Sequence, residues 1–177
     1  MRKFFLLCGI FLAALTLVAG CSKSKAPSSG SARTGTKAPD FELKDISGHS
    51  YKLSDLKGKV VLIDFWATWC PPCQASIPEM NKIYARYKDK DFVLLGISVD
   101  DGANAGRAIK DFAGAYKISY PLLNDKGNVA DEYNVNSIPN TFLIDKSGNI
   151  ADHHMGFTPG MTDTLFKEIE ELLSKNA

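Results

Sequence analysis

The chain has 177 residues with 21 basic and 20 acidic side chains, and its formal net charge is +1 at neutral pH. This balance provides no excess of basic residues of the kind that binds nucleic acid, so no nucleic-acid partner is expected. The chain contains four cysteines, Cys8, Cys21, Cys70 and Cys73.

The N-terminus has the pattern of an export signal. Two basic residues precede a charge-free apolar run from 4 to 18, which is shorter than the roughly 20 residues of a typical membrane-spanning helix. The run ends in Val-Ala-Gly-Cys at 18–21, which resembles a bacterial lipobox. Residues 1–20 are therefore predicted to be a lipoprotein signal peptide and Cys21 the lipidated residue, with an ordinary secretory signal or a retained membrane anchor as alternatives. The expected location is on a bacterial membrane, facing the periplasm or the cell exterior.

Residues 21–36 carry the predicted lipid and a polar, non-periodic stretch that predicts a flexible tether. Residues 37–177 suffice for one domain. After signal removal and acylation of Cys21, Cys70 and Cys73 would be the remaining thiols. In an exported protein, a lone pair at this spacing indicates a redox-active disulfide. A c-type haem would need histidine directly after Cys73, where glutamine stands, and no cofactor is expected.

The domain is predicted to begin with a hairpin, because alternating apolar and polar residues at 41–43 and 51–53 flank a turn-rich segment. The continuous apolar run 60–66 predicts a buried strand, and helical periodicity then reaches to about residue 88. The remaining predicted elements are a strand at 92–99, a helix at 105–116, a short extended piece at 120–123, one or two helical turns at 128–133, strands at 141–144 and 150–155, and an amphipathic helix with apolar residues from 165 to 173. This order predicts an α/β fold with a central mixed sheet and helices on both faces.

Two motifs resemble those of the thioredoxin superfamily: VLIDFWATWCPPC at 61–73 and IPNTFLID at 138–145. Within the superfamily, the chain is most similar to the exported TlpA/ResA-type thiol–disulfide oxidoreductases. The N-terminal hairpin and an inserted helical segment from about Gly102 to Asn124 match that branch. The resemblance implies a thioredoxin-like fold over residues 37–177.

The resemblance makes Cys70 the attacking thiolate and Cys73 the resolving thiol. At a helix start, Cys70 would serve as the N-cap and accept hydrogen bonds from the first-turn N–H groups. Pro72 removes one of these donors, so the pKa of Cys70 is expected to fall only moderately below the free value of about 8.5. This favours a reductant or an isomerase over a strong oxidant. The alternative is that Pro71 and Pro72 only stiffen the turn.

Asp64 lies inside the apolar strand six residues before Cys70 and resembles the buried acid of thioredoxins. A carboxyl group there would have a raised pKa and could accept the proton of Cys73. Members of the TlpA/ResA branch often carry an amide or another residue at this place, so Asp64 departs from their pattern. The alternative is a partly solvated carboxylate at a strand edge.

The family places a cis-proline opposite the disulfide, and Pro139 matches it, with Ile138 as the residue whose backbone would pair with the substrate. Trp69 is expected to cover the sulfur atoms beside the substrate groove, and Trp66 to lie in the core. The predicted substrate-binding set is Trp69, Pro71, Pro72, Ile138 and Pro139.

No metal site is predicted, because His153 and His154 are adjacent on a strand and would point to opposite faces. The predicted function is membrane-tethered thiol–disulfide exchange with exported proteins. Reduction of apocytochrome c is one use, and a membrane thiol-reductant carrier would supply electrons. A monomer is expected.

One alternative function, that of a Sco-like copper chaperone, would need wider cysteine spacing and a distant histidine. The other, a thiol peroxidase, would need threonine three residues before Cys70, where Ala67 stands.

Overall fold

The structure is a computed structural model that describes residues 34–175, so the predicted signal peptide, Cys21 and most of the predicted tether lie outside the described residues. The elements are β1 Glu42–Lys44, β2 Ser50–Lys52, β3 Val60–Trp66, α1 Pro71–Tyr87, β4 Phe92–Ser98, α2 Ala105–Tyr116, β5 Leu122–Asn124, α3 Val129–Glu132, β6 Asn140–Ile144, β7 Ile150–Met155 and α4 Met161–Ser174. A 3-10 turn, Leu53–Leu56, follows β2. Within the described part of the chain, no helix combines the length and the apolar character required to cross a bilayer.

Five strands form the central sheet in the order β5-β4-β3-β6-β7. The first three are mutually parallel, β6 runs antiparallel to β3, and β7 runs antiparallel to β6. β1 and β2 form a separate antiparallel hairpin. The central strand β3 is buried along its whole length, as its continuous apolar run predicts. The predicted mixed sheet and N-terminal hairpin are confirmed.

The two faces of the sheet are covered unequally. The chain steps from β3 to β4 to β5 in one direction, and right-handed crossovers therefore place α1 and α2 on the same face. Apolar residues of α4 join the core on that face, together with Leu62 and Trp66 of β3. The hairpin, the 3-10 turn and α3 cover the other face, over Ile63 and Phe65. Helices thus lie on both faces, three on one and the short α3 on the other.

The hydrogen-bonded domain includes two residues that the sequence analysis assigns to the tether. The N–H of Gly35 donates to the carbonyl of Ile150 at 2.7 Å, and the N–H of Ile150 donates to the carbonyl of Thr36 at 2.8 Å. These bonds attach the segment to the beginning of β7. These hydrogen bonds involve only backbone groups, so they could not be predicted from the pattern of side chains.

Candidate active site

The candidate redox centre lies where β3 leads into α1. Cys70 and Cys73 form a disulfide with their Cα atoms 5.2 Å apart. Cys70 is the N-cap of α1, and its Sγ accepts a hydrogen bond from the N–H of Cys73 at 3.3 Å. Pro71 at the first helical position suits this start, because its fixed φ is helical and its missing N–H would have no helical partner. Proline at 72 leaves the Cys73 N–H as the donor to the Cys70 sulfur.

The exposed fractions of Cys70 and Cys73 do not show which of them is the attacking thiol and which is the resolving thiol. Cys70 is 3% exposed and Cys73 is 1% exposed, whereas Trp69 between β3 and α1 is 65% exposed. Pro71 and Pro72 are also exposed. The N-cap position does separate the roles, because the helix start directs an N–H group to the sulfur of Cys70 and thereby stabilises a thiolate there.

The loop before Cys70 is held by a buried carboxylate that the sequence analysis missed. Asp100 accepts hydrogen bonds from the Thr68 N–H at 2.9 Å, from the Thr68 hydroxyl at 2.6 Å and from the Ser98 hydroxyl at 2.6 Å. From the other side, the Gln74 side-chain amide donates to the Thr68 carbonyl at 2.9 Å. The position of Asp100 in the sequence could have indicated this contact. Asp100 follows β4, which is parallel to β3, so both strands end at the same edge of the sheet.

The inserted helix α2 also contacts this region. The hydroxyl of Tyr116 donates to Oε1 of Gln74 at 3.0 Å, and the ring of Phe112 stacks on that of Tyr116 with 4.1 Å between centroids. Phe112 in turn packs against Trp66 at 5.4 Å. Trp66 is buried as expected, and its Nε1 has no hydrogen-bond partner among residues 34–175.

Asp64 is a buried carboxyl group on the face of the sheet that α1 covers. It alternates with Leu62 and Trp66 along β3, and both of these belong to the core cluster that contains the two cysteines. Burial raises the pKa of Asp64 to about 7, and the hydrogen bond that the Thr141 hydroxyl donates at 3.2 Å acts in the opposite direction. A partly solvated strand-edge position is thereby excluded, because Asp64 is 2% exposed.

The Ile138–Pro139 peptide bond is cis, as predicted. Pro139 is buried, and its carbonyl accepts the N–H of Gly156 at 2.8 Å. Ile138 is partly buried and packs against the core cluster that contains Cys70 and Cys73. The structure thus brings Ile138, both cysteines and the β3 face with Asp64 into one region.

The histidines point away from each other, as the strand pattern predicts. The ring of His153 stacks on Phe142 at 4.1 Å, with its Nε2 2.5 Å from Oδ1 of Asn140. His154 points to the other face, where its Nε2 lies 2.8 Å from Oε2 of Glu168. Among residues 34–175, no histidine, aspartate or glutamate completes a three-ligand group with the two cysteines. The chemistry that the site supports is exchange between a dithiol and a disulfide, because the two cysteines form a disulfide at a helix start that stabilises a thiolate at Cys70.

Comparison with known proteins agrees with this chemistry. Residues 34–153 match the model of the AhpC/TSA family. The chain is 36% identical over 147 residues to the thiol-disulfide oxidoreductase ResA of Halalkalibacterium halodurans, covering 82% of this chain and 80% of that protein.

Two solved structures share the fold. One, from Chlorobium tepidum, is provisionally assigned as thiol:disulfide interchange protein DsbE; it is 39% identical, has a TM-score of 0.74, and the match covers 81% of this chain and 100% of that one. The other is the exposed lipoprotein thioredoxin Etrx1 of Streptococcus pneumoniae, with 33% identity, a TM-score of 0.64, and coverage of 76% and 100%. The chain therefore belongs to the thioredoxin-like AhpC/TSA family, and it is a thiol–disulfide oxidoreductase.

Proposed function

We propose that the chain is tethered to a membrane and reduces disulfides of exported proteins, with apocytochrome c as one substrate. The observation that carries the proposal is the Cys70–Cys73 disulfide at the start of α1, with the Cys70 sulfur as the N-cap. The Cys70 thiolate attacks a substrate disulfide, forming a mixed disulfide and releasing one substrate thiolate. Cys73 then attacks the Cys70 sulfur, so that the substrate leaves as a dithiol and the Cys70–Cys73 disulfide forms.

Asp64 accepts the proton that Cys73 must lose before it attacks. A carboxyl group with a pKa of about 7 is matched to this task, because near neutral pH it is partly ionised and can both accept and return a proton. Substrate approaches over the exposed Trp69, Pro71 and Pro72, next to Ile138 and Pro139.

Among residues 34–175, one N–H group, that of Cys73, donates to the Cys70 sulfur, and this supports the reducing direction. Few donors stabilise the thiolate only moderately, and a less stabilised dithiol is a better electron donor. The expected potential is therefore closer to the roughly −270 mV of reducing thioredoxins than to the roughly −120 mV of strong periplasmic oxidants. Equilibration of the protein with glutathione buffers measures it.

Lipid attachment at Cys21 and electron supply from a membrane thiol carrier complete the proposal. The lipobox-like residues 18–21 support the anchor, and one protein of similar structure is an exposed lipoprotein thioredoxin. Peroxidase chemistry is not favoured, because the Thr68 hydroxyl is bound to Asp100 instead of being free to assist at Cys70.

A cysteine-variant experiment tests the exchange reaction. We expect the reduced 34–177 domain to reduce about one disulfide per dithiol in an oxidised apocytochrome c peptide. Cys70→Ser should abolish the reaction, whereas Cys73→Ser should accumulate a mixed disulfide with the peptide that mass spectrometry detects. Undiminished reduction by Cys70→Ser would exclude Cys70 as the attacking group. Failure of the reduced domain to reduce the apocytochrome c peptide while it reduces a generic disulfide peptide would exclude apocytochrome c as a substrate.

A further inference from the structure

Three metal-ligating side chains meet on the α4 side of the edge strand β7. Asp152 and His154 are two residues apart in β7, so their side chains point to the same face of the sheet. Helix α4 adds Glu168 from above that face. One ligand atom from each of the three lies within 4.8 Å of the other two, and His154 Nε2 is 2.8 Å from Glu168 Oε2. The cluster shares no residue with the redox centre.

The charge of the cluster favours a cation. Two carboxylates face one imidazole, and among residues 34–175 no lysine or arginine forms an ion pair with Asp152 or Glu168. The side chains of His154 and Glu168 are only 20% and 21% exposed, so water screens them incompletely. Partly buried negative charge of this kind is stabilised by a bound positive ion.

The surroundings already orient one of the ligands. The backbone N–H of His153 donates to Oδ1 of Asp152 at 2.7 Å, which fixes that carboxylate and leaves its second oxygen for a ligand bond. This bond does not involve the His153 imidazole, so it is retained in His153→Ala. A surface cavity of about 490 Å³ borders the cluster at His154, and its lining also includes His153, Thr158 and Thr164. This space would admit the water molecules that complete a three-ligand site.

We propose that Asp152, His154 and Glu168 bind a divalent transition-metal ion such as Zn²⁺, which joins β7 to α4. One nitrogen and two oxygen donors match this class of ion, whereas Mg²⁺ and Ca²⁺ prefer oxygen ligands alone. With metal–ligand distances of about 2.1 Å, tetrahedral ligand atoms lie about 3.4 Å apart. Small side-chain rotations from the present spacing therefore complete the site.

Isothermal titration with Zn²⁺ tests the proposal. The full-length chain is used in detergent with the Cys70–Cys73 disulfide intact, and with Cys8→Ser and Cys21→Ser in every sample so that no free thiol competes. We expect one ion per chain, and at least about tenfold weaker binding in His154→Ala and in Glu168→Gln. The matched control is His153→Ala, which removes the neighbouring imidazole on the opposite face and should leave the affinity unchanged.

Thermal unfolding gives a second measurement that also reports whether each variant folds. Zn²⁺ should raise the unfolding midpoint of the parent chain and of His153→Ala, because an ion that binds only the folded state stabilises it. At the same Zn²⁺ concentration it should raise the midpoint of Glu168→Gln by a smaller amount, because binding is weaker, and the metal-free transition of this variant shows that its fold is intact. The proposal is overturned by absence of saturable binding, by unchanged affinity in Glu168→Gln, or by equal losses in His153→Ala and His154→Ala.

Discussion

At the scale of single residues, Asp64, the proposed proton acceptor, also affects the stability of the fold. Its carboxyl group is buried between β4 and β6, opposite Gly96 and Thr141. The raised pKa of Asp64, about 7 against an ordinary 3.8, means that the folded protein holds this proton more tightly than the unfolded chain does. Burial raises the pKa of Tyr120, negative charge on Asp64 raises it further, and this tyrosine therefore stays neutral.

We expect Asp64→Asn to become more stable than the wild type as the pH rises. Below about pH 3, well under the ordinary pKa of 3.8, the carboxyl is protonated in both states, and the two proteins should be about equally stable. As pH rises to about 7, the unfolded chain of the wild type loses this proton while the folded protein retains it, and the free energy of unfolding falls. A shift of three pKa units corresponds to about 4 kcal/mol. This value is an upper limit for the difference in the free energy of unfolding between Asp64→Asn and the wild type at pH 8. Urea denaturation at several pH values measures it.

The same variant tests the proposed proton transfer. Asp64→Asn should slow exchange on the order of 10²-fold near neutral pH, because it keeps the shape but removes the base. Thr141→Val is the companion variant: losing the hydrogen bond that lowers the pKa of Asp64 should move the pH–rate profile to higher pH. Identical pH–rate profiles for wild type and Asp64→Asn would leave Asp64 with a structural role alone.

At the scale of elements, the approach of β4 to the chain that leads into β5 depends on a glycine. A Cβ atom on Gly96 would lie 2.7 Å from Leu122 Cδ2, 3.0 Å from Tyr120 Cε2 and 3.2 Å from Trp66 Nε1. All three neighbours are buried, so they have little space into which to move. Gly96 thus permits the tight packing that encloses Asp64.

Gly96→Ala should therefore lower the free energy of unfolding by about 1–3 kcal/mol, the usual cost of overpacking a core. Gly114→Ala is the matched control, because no atom lies within 4 Å of its Cβ position and it sits in α2. Alanine there should stabilise by about 0.5–1 kcal/mol through helix propensity. Equal effects of the two substitutions in denaturant titrations would contradict this account of Gly96.

Much at this scale could be predicted from the sequence, because each helix and strand has its own periodicity. The apolar run of β3 and the helical spacing in α2 predict their bounds to within about one residue. The contacts between elements could not be predicted in this way. Asp100 follows β4 and contacts Thr68, which follows the neighbouring strand β3, and Glu168 contacts His154 from the helix that follows β7. Such contacts depend on the order of the strands and the placement of the helices, and neither of these produces a periodic pattern in the sequence.

The candidate site likewise has residues that could be predicted from the sequence and contacts that could not. The cysteine pair, the cis-proline and the buried Asp64 belong to short motifs, and the structure brings them to one region. The hydrogen bond between Tyr116 and Gln74, which connects α2 to α1, joins residues 42 positions apart. Their pairing follows from the placement of the inserted helix, which the sequence predicts to exist without fixing the face on which it packs.

At the scale of the whole molecule, the proposed lipid anchor can be tested without disturbing the domain. On expression in a bacterium grown with a labelled fatty acid, the wild-type chain should incorporate label and Cys21→Ser should not, because the thiol of Cys21 is the proposed attachment point. Cys8→Ser is the control and should remain labelled, since Cys8 lies in the predicted signal peptide. Label retained by Cys21→Ser would contradict the lipidation proposal.

The attachment of Gly35 and Thr36 to the start of β7 determines how an anchored domain would be oriented. β7 runs parallel to β3, so Ile150 lies at the end of the sheet where β3 begins, whereas Cys70 follows the opposite end about 20 Å away. A lipid at Cys21 would thus be joined to the end of the domain opposite the disulfide, and in one orientation the disulfide would face proteins in the surrounding compartment. An electron donor embedded in the membrane would reach the disulfide only when the domain turns over. Residues 22–34 extend to at most about 45 Å, which allows that rotation, and their length would set how quickly the two partners alternate.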